Sequence, residues 1–97
     1  MTLVKYLQCT HEFFLGWIIF QLYDNMTIEN YGSVWNIDHC TPCASFNFND
    51  IEDIKRCFIW KNLRPLRKEK NFTKGKKINP HEILMQELKA KVYESLT

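Results

Sequence analysis

Apolar residues crowd one early stretch of the chain, where Phe13, Phe14, Trp17, Ile18, Phe20 and Leu22 give a wide apolar surface at helical spacing. Thr10 precedes them as an N-cap, and Glu12 puts negative charge in the first turn, where the helix dipole favours it. This pattern predicts a helix from about residue 11 to 23, packed hard on the rest of the fold and broken by Asp24 and Asn25. Asn30, Tyr31 and Gly32 then turn the chain into a strand over residues 33–40, where Val34, Trp35 and Ile37 supply the β-branched and aromatic residues.

Residues 42–49 read as an extended loop whose Phe46 and Phe48 plug into the core. Asn49 or Asp50 caps a short helix through about Cys57, with Ile51, Ile54 and Phe58 inward. Residues 58–63 read as the returning strand. Pro65 suits the first position of the next helix and Gly75 its stop. Asn79, Pro80 and Glu82 open a last helix over about residues 80–96, in which Leu84, Leu88 and Val92 recur at spacing four beside Ile83, Met85 and Leu96 and predict a packing face.

Ninety-seven residues, 45% hydrophobic and 25% charged, bound a single domain over residues 1–97 with one modest core and exclude a disordered chain. The apolar run over residues 13–20 is far short of the roughly 20 residues that span a membrane. Cys9, Cys40, Cys43 and Cys57, with no signal-peptide pattern, point to a reducing, intracellular setting. Cys40 and Cys43 form a CxxC, half of a zinc site, but Cys57 and Cys9 stand singly and far away in sequence. The pair is therefore expected to be buried thiols rather than ligands of structural zinc.

Charge is uneven. Residues 1–60 hold three basic and seven acidic side chains, net −4, and residues 61–77 hold eight basic and one acidic, net +7. Lys61, Arg64, Arg67, Lys68, Lys70, Lys74, Lys76 and Lys77 make a local field that attracts polyanions, which nominates them as a nucleic-acid surface.

This run follows a concentration of polar chemistry. Asp38 and His39 stand at the end of the first strand, Asn62 lies in the second, and Asn71 comes nine residues later on the short basic helix. Phosphodiester hydrolysis needs a base for water and a cation for the phosphate. His39 suits the base, since imidazole titrates near neutral pH. Asp38 and Asn71 offer hard oxygens that suit Mg²⁺ or Mn²⁺. Asn62, on the strand expected to pair with that of His39, is the candidate to orient the imidazole. Successive strand residues point to opposite faces, so a shared site for Asp38 and His39 requires the strand to end or twist there.

The order acid and histidine, asparagine, asparagine, with its flanking WNIDH and NLRPL strings, resembles the HNH endonucleases of the ββα-metal (His-Me finger) class, most of all their phage-type and large-virus-type members. The resemblance implies an α+β fold with a ββα-metal core over residues 33–75, flanked by packing helices over residues 10–23 and 80–96. It implies an endonuclease that hydrolyses DNA and leaves 5′-phosphate and 3′-hydroxyl ends. His39 would be the general base, Asn62 its positioner, and Asp38 and Asn71 the ligands of one divalent cation. Asparagine stands at the last position, where many similar sequences carry histidine. A monomer or weak dimer is expected, with DNA as partner, RNA compatible with the same charge, no membrane association, and a place in host cytoplasm or nucleus if viral. The rival reading is a nucleic-acid-binding protein on the same fold that cleaves nothing.

Overall fold

Three local caps set the helix starts. In the computed structural model, which describes residues 3–97, Thr10 Oγ1 accepts from the Phe13 amide at the head of α1 (His11–Gln21). Asp50 accepts from the Glu52 amide at the head of α2 (Ile51–Phe58), and Asn79 from the Glu82 amide at the head of α4 (Pro80–Leu96). Each cap satisfies an amide that would otherwise lack a partner at a helix start. The described residues form an α+β fold of four helices and one two-stranded antiparallel sheet.

The strands are β1 (Trp35–His39) and β2 (Leu63–Arg67), with Ile37 opposite Pro65, Asp38 opposite Arg64 and His39 opposite Leu63. Two expectations are corrected here. The returning strand begins at Leu63, where it was expected to end; residues 58–62 finish α2 and form a 3-10 turn, Trp60–Asn62. Pro65 does not open a helix but sits in β2, and α3 (Lys68–Lys74) starts after it. The register explains why proline is tolerated. Main-chain bonds join Cys40 to Asn62 and Lys68 to Val34, and ladder bonds fall on alternate pairs, so Ile37–Pro65 is a non-bonded pair in which no amide is missed.

The core gathers Trp17, Ile18, Met26, Trp35, Trp60, Ala90 and Tyr93, with Phe13 packed against it. Trp17 and Trp60 meet edge to face at 5.1 Å, and Phe13 meets Trp60 at 4.8 Å in the same manner. The Trp17 indole also donates to the Leu63 carbonyl at 2.9 Å, which ties α1 to the start of β2. Only part of the wide apolar surface of α1 is covered: Trp17 and Ile18 are buried, while Leu15, Ile19 and Phe20 remain exposed.

The packing face of α4 differs from expectation. Leu84, Leu88 and Val92 are exposed, whereas Gln86, Ala90 and Tyr93 are buried. The reason is polar. Gln86 Nε2 donates to the carbonyls of Lys61 (2.9 Å) and Leu63 (3.1 Å), and the Tyr93 hydroxyl donates to that of Phe13 (2.9 Å). These side chains are drawn inward by bonds to main-chain oxygens of other elements, which a leucine could not make. Phe48 likewise does not enter the core; it is half exposed and leans on Phe58.

Candidate functional site

The hairpin and the helix that follows it place the predicted residues. Asp38 and His39 end β1, Asn62 immediately precedes β2, and α3 carries Asn71. α3 starts without a side-chain cap and stops at Gly75, whose φ of +57° suits glycine.

Asp38 is buried and fully engaged. Arg64 Nε lies 3.0 Å from its Oδ2, and Lys74 Nζ lies 3.2 Å from its Oδ1. Lys74 also donates to the His39 carbonyl at 2.8 Å, so one ammonium is held by two oxygens. Arg64 reaches on to Glu82 Oε1 at 2.7 Å. Burial works against the Arg64 cation, but its bonds to Glu82 and Asp38 outweigh that and raise its pKa. The same guanidinium bond holds the Glu82 carboxyl below its usual range.

His39 looks the other way. Its ring meets the edge of Phe58 at 5.0 Å, and its ligand nitrogen lies within 4.8 Å of the Cys43 and Cys57 sulfurs. Burial lowers the His39 pKa, the Asp38 carboxylate pulls it up and Lys74 pushes it down. The alternation of strand side chains therefore holds, and Asp38 and His39 serve two adjoining clusters rather than one.

Asn62 does not contact the imidazole through any hydrogen bond among the described residues. Its Oδ1 accepts from the Thr41 amide at 2.8 Å, and its Nδ2 donates to the carbonyls of Thr41 (3.1 Å) and Cys57 (2.9 Å). It fastens the loop that follows His39 to the end of α2. Asn71 is half-buried on the turn of α3 that precedes Lys74. Residues three apart share a helix face, so Asn71 lies on the side of α3 whose Lys74 reaches Asp38.

The basic run divides. Arg64 and Lys74 are spent on Asp38, which removes them from a phosphate surface. Arg67 bonds Asn25 and Glu69, and Lys61 pairs with Glu94 while lying over the Trp60 ring. Lys68, Lys70, Lys76 and Lys77 are exposed, Lys70 lying over the Tyr23 ring.

The cysteines regroup. Cys40 is buried and donates to the Glu82 carbonyl at 3.6 Å, and burial raises its pKa. Cys43 is not its partner; the Cys57 thiol donates to the Cys43 sulfur at 3.2 Å. Burial, and then that contact, push Cys57 up to about 12. Cys43, in the 3-10 turn Cys43–Ser45, and Cys57, in the last turn of α2, are 14 residues apart along the chain and meet in the fold. The sequence marks Glu82 only as part of the α4 cap, and nothing local shows it as the partner of Arg64.

The chain is 46% identical over 81 residues to the uncharacterized protein L426 of Acanthamoeba polyphaga mimivirus, covering 84% of this chain and 36% of that protein. It is 46% identical over 63 residues to the uncharacterized protein L246 of the same virus, covering 65% of this chain and 28% of that one. The chain thus spans about a third of the length of the curated relatives it matches, and those relatives are viral. No protein-family model matches the chain, and no solved structure does. No helix among the described residues is long and apolar enough to cross a membrane.

Proposed function

We propose that the chain is a metal-dependent endonuclease of the ββα-metal class that acts on DNA. The observation that carries this reading is the unit of β1, long loop, β2 and α3, in which Asn62 fastens the loop directly after Asp38 and His39. In this reading the His39 ring, kept neutral by burial, turns out of the Cys43–Cys57 cluster toward the Asp38 side and takes the proton from an attacking water. Asn62 holds the histidine's main chain in place. Lys68, Lys70, Lys76 and Lys77 hold the phosphate backbone.

The oxygens beside α3 fit a hard cation. Asp38 Oδ1 and the His39 carbonyl already converge on one positive group, the Lys74 ammonium, and Asn71 brings an amide to the same face. Asp38 and Asn71 would hold Mg²⁺ or Mn²⁺ once that ammonium swings out. Bound there, the metal supplies the positive charge that stabilises the phosphate and the leaving oxygen.

One observation favours the second reading, a binding protein that cleaves nothing: Arg64 and Lys74 engage both carboxylate oxygens of Asp38. Supercoiled plasmid incubated with Mg²⁺ or Mn²⁺, with and without EDTA, separates the two. Nicked circles that form with metal and vanish with chelator support the nuclease. Plasmid that is retarded on a gel yet stays supercoiled in both metals supports the binding protein.

A further inference from the structure

We propose that His39, Cys43 and Cys57 hold one divalent cation of the zinc class. The site shares His39 with the nuclease reading, and an imidazole that holds the ion cannot at the same time take a proton from water.

The three donors come from three places: the end of β1, the 3-10 turn Cys43–Ser45 and the last turn of α2. Their ligand atoms all lie within 4.8 Å of one another. Two sulfurs and an imidazole are soft to borderline donors, which select zinc-class ions over Mg²⁺. The Sγ–Sγ separation of 3.2 Å is close to what a metal needs. With Zn–S bonds of about 2.3 Å a tetrahedral edge is about 3.8 Å, so loading requires the sulfurs to part by about half an ångström.

Two further observations point to a ligand. His39 Nε2 is buried and has no hydrogen-bond partner among the described residues. A buried ring nitrogen without a partner is costly, and coordination by either ring nitrogen would set the tautomer that the other must take. Asn62 also ties the two chain segments that carry the sulfurs, since one amide bonds Thr41, two residues before Cys43, and the carbonyl of Cys57 itself. The ligand-bearing segments are thus held together before any ion arrives, as support around a metal site requires.

On loading, each thiol gives its proton to solvent, and two thiolates and one neutral imidazole face a dication, leaving the site without net charge. Three protein donors leave a fourth position for water. A Cys43–Cys57 disulfide is the competing chemistry, but it needs an external oxidant and would leave the imidazole nitrogen as it stands.

The test uses the full chain, stripped with EDTA under reducing conditions and titrated with Co²⁺ in the absence of DNA. One equivalent should bring up thiolate-to-cobalt charge transfer and the strong visible bands of a tetrahedral ion, and Zn²⁺ should displace it. Cys43→Ser, at a half-buried position, should weaken binding at least tenfold and lose charge-transfer intensity with an unchanged circular dichroism spectrum. Cys40→Ser should bind as wild type does. Absence of the charge-transfer band, a disulfide between Cys43 and Cys57 in peptides mapped without reduction, or equal loss in Cys40→Ser would overturn the site. Cobalt binding, with no plasmid cleavage by the stripped protein in Mg²⁺, would leave this site intact and remove the nuclease reading, and cleavage by the stripped protein without cobalt binding would do the reverse.

Discussion

Arg64 stands directly across the hairpin from Asp38 and holds its carboxylate at 3.0 Å, with side-chain exposures of 11% and 8%. A pair this dry is a structural device, because removing one member leaves the other charge buried without its partner. Arg64→Met should destabilise the fold by about 3 kcal/mol, the lower end of the range for breaking a buried pair, since Lys74 still faces Asp38. Lys61→Met breaks the half-exposed pair with Glu94 and removes the ammonium from over the Trp60 ring, and should change stability by about 1 kcal/mol at most. Urea unfolding of both variants checks the contrast; equal midpoints would show that Arg64 is not a structural partner of Asp38.

Gly16 is required where α1 meets α4. A Cβ there would lie 2.3 Å from the Tyr93 hydroxyl, which is fixed by its bond to the Phe13 carbonyl. Gly16→Ala should therefore cost about 1–3 kcal/mol despite the better helix propensity of alanine. Tyr93→Phe removes the blocking oxygen, so the double variant should be more stable than the sum of the two single losses. Additive losses would refute the contact.

The free cations are fewer than the run suggests. Four exposed lysines, Lys68, Lys70, Lys76 and Lys77, remain for phosphates. At about −0.9 per phosphate contact, log affinity for duplex DNA against log salt should slope at about −4. Lys68→Glu with Lys70→Glu should flatten the slope by about two and weaken all sequences alike. A slope unaffected by that double change would move the interface elsewhere.

Much of this arrangement was legible in the chain because caps are local: Thr10, Asp50 and Asn79 mark helix starts within a few residues. The second strand was misplaced because Pro65 suits a helix start equally well, and only its register opposite Ile37 shows why a ribbon accepts it. The buried face of α4 was hidden for a related reason. Hydrophobic periodicity finds Leu84, Leu88 and Val92, whereas Gln86 and Tyr93 are inside because they bond main-chain oxygens on other elements. Asp38, His39, Asn62 and Asn71 could be nominated from order and spacing. Their partners Arg64, Lys74, Cys43 and Cys57 could not, since each pairing depends on how distant segments pack.

His39 and Glu82 both contribute to the pH response. Burial lowers the His39 pKa, so below about 6.5 the unfolded chain binds a proton that the fold resists. The His39 contribution to stability is complete above about 6.5 and is lost as pH falls from there toward the folded value. Glu82 has a depressed folded pKa, so its contribution is present above about 4.3 and is lost as pH falls through the lower folded value. In the proposed mechanism cleavage needs neutral His39, so its acid limb should have a midpoint below about 6.5. A midpoint above neutrality would assign the base to another group.

The most direct measurement compares plasmid nicking by wild type and His39→Ala, both freed of zinc, in matched Mg²⁺ or Mn²⁺ and at matched pH, with DNA binding measured alongside. In the proposed mechanism this variant loses the proton acceptor while Asp38 and Asn71 remain, so binding should persist and the cleavage rate should fall by about 10² to 10⁴. A His39→Ala variant that nicks as fast as wild type would contradict the assignment of His39 and the hydrolytic mechanism built on it.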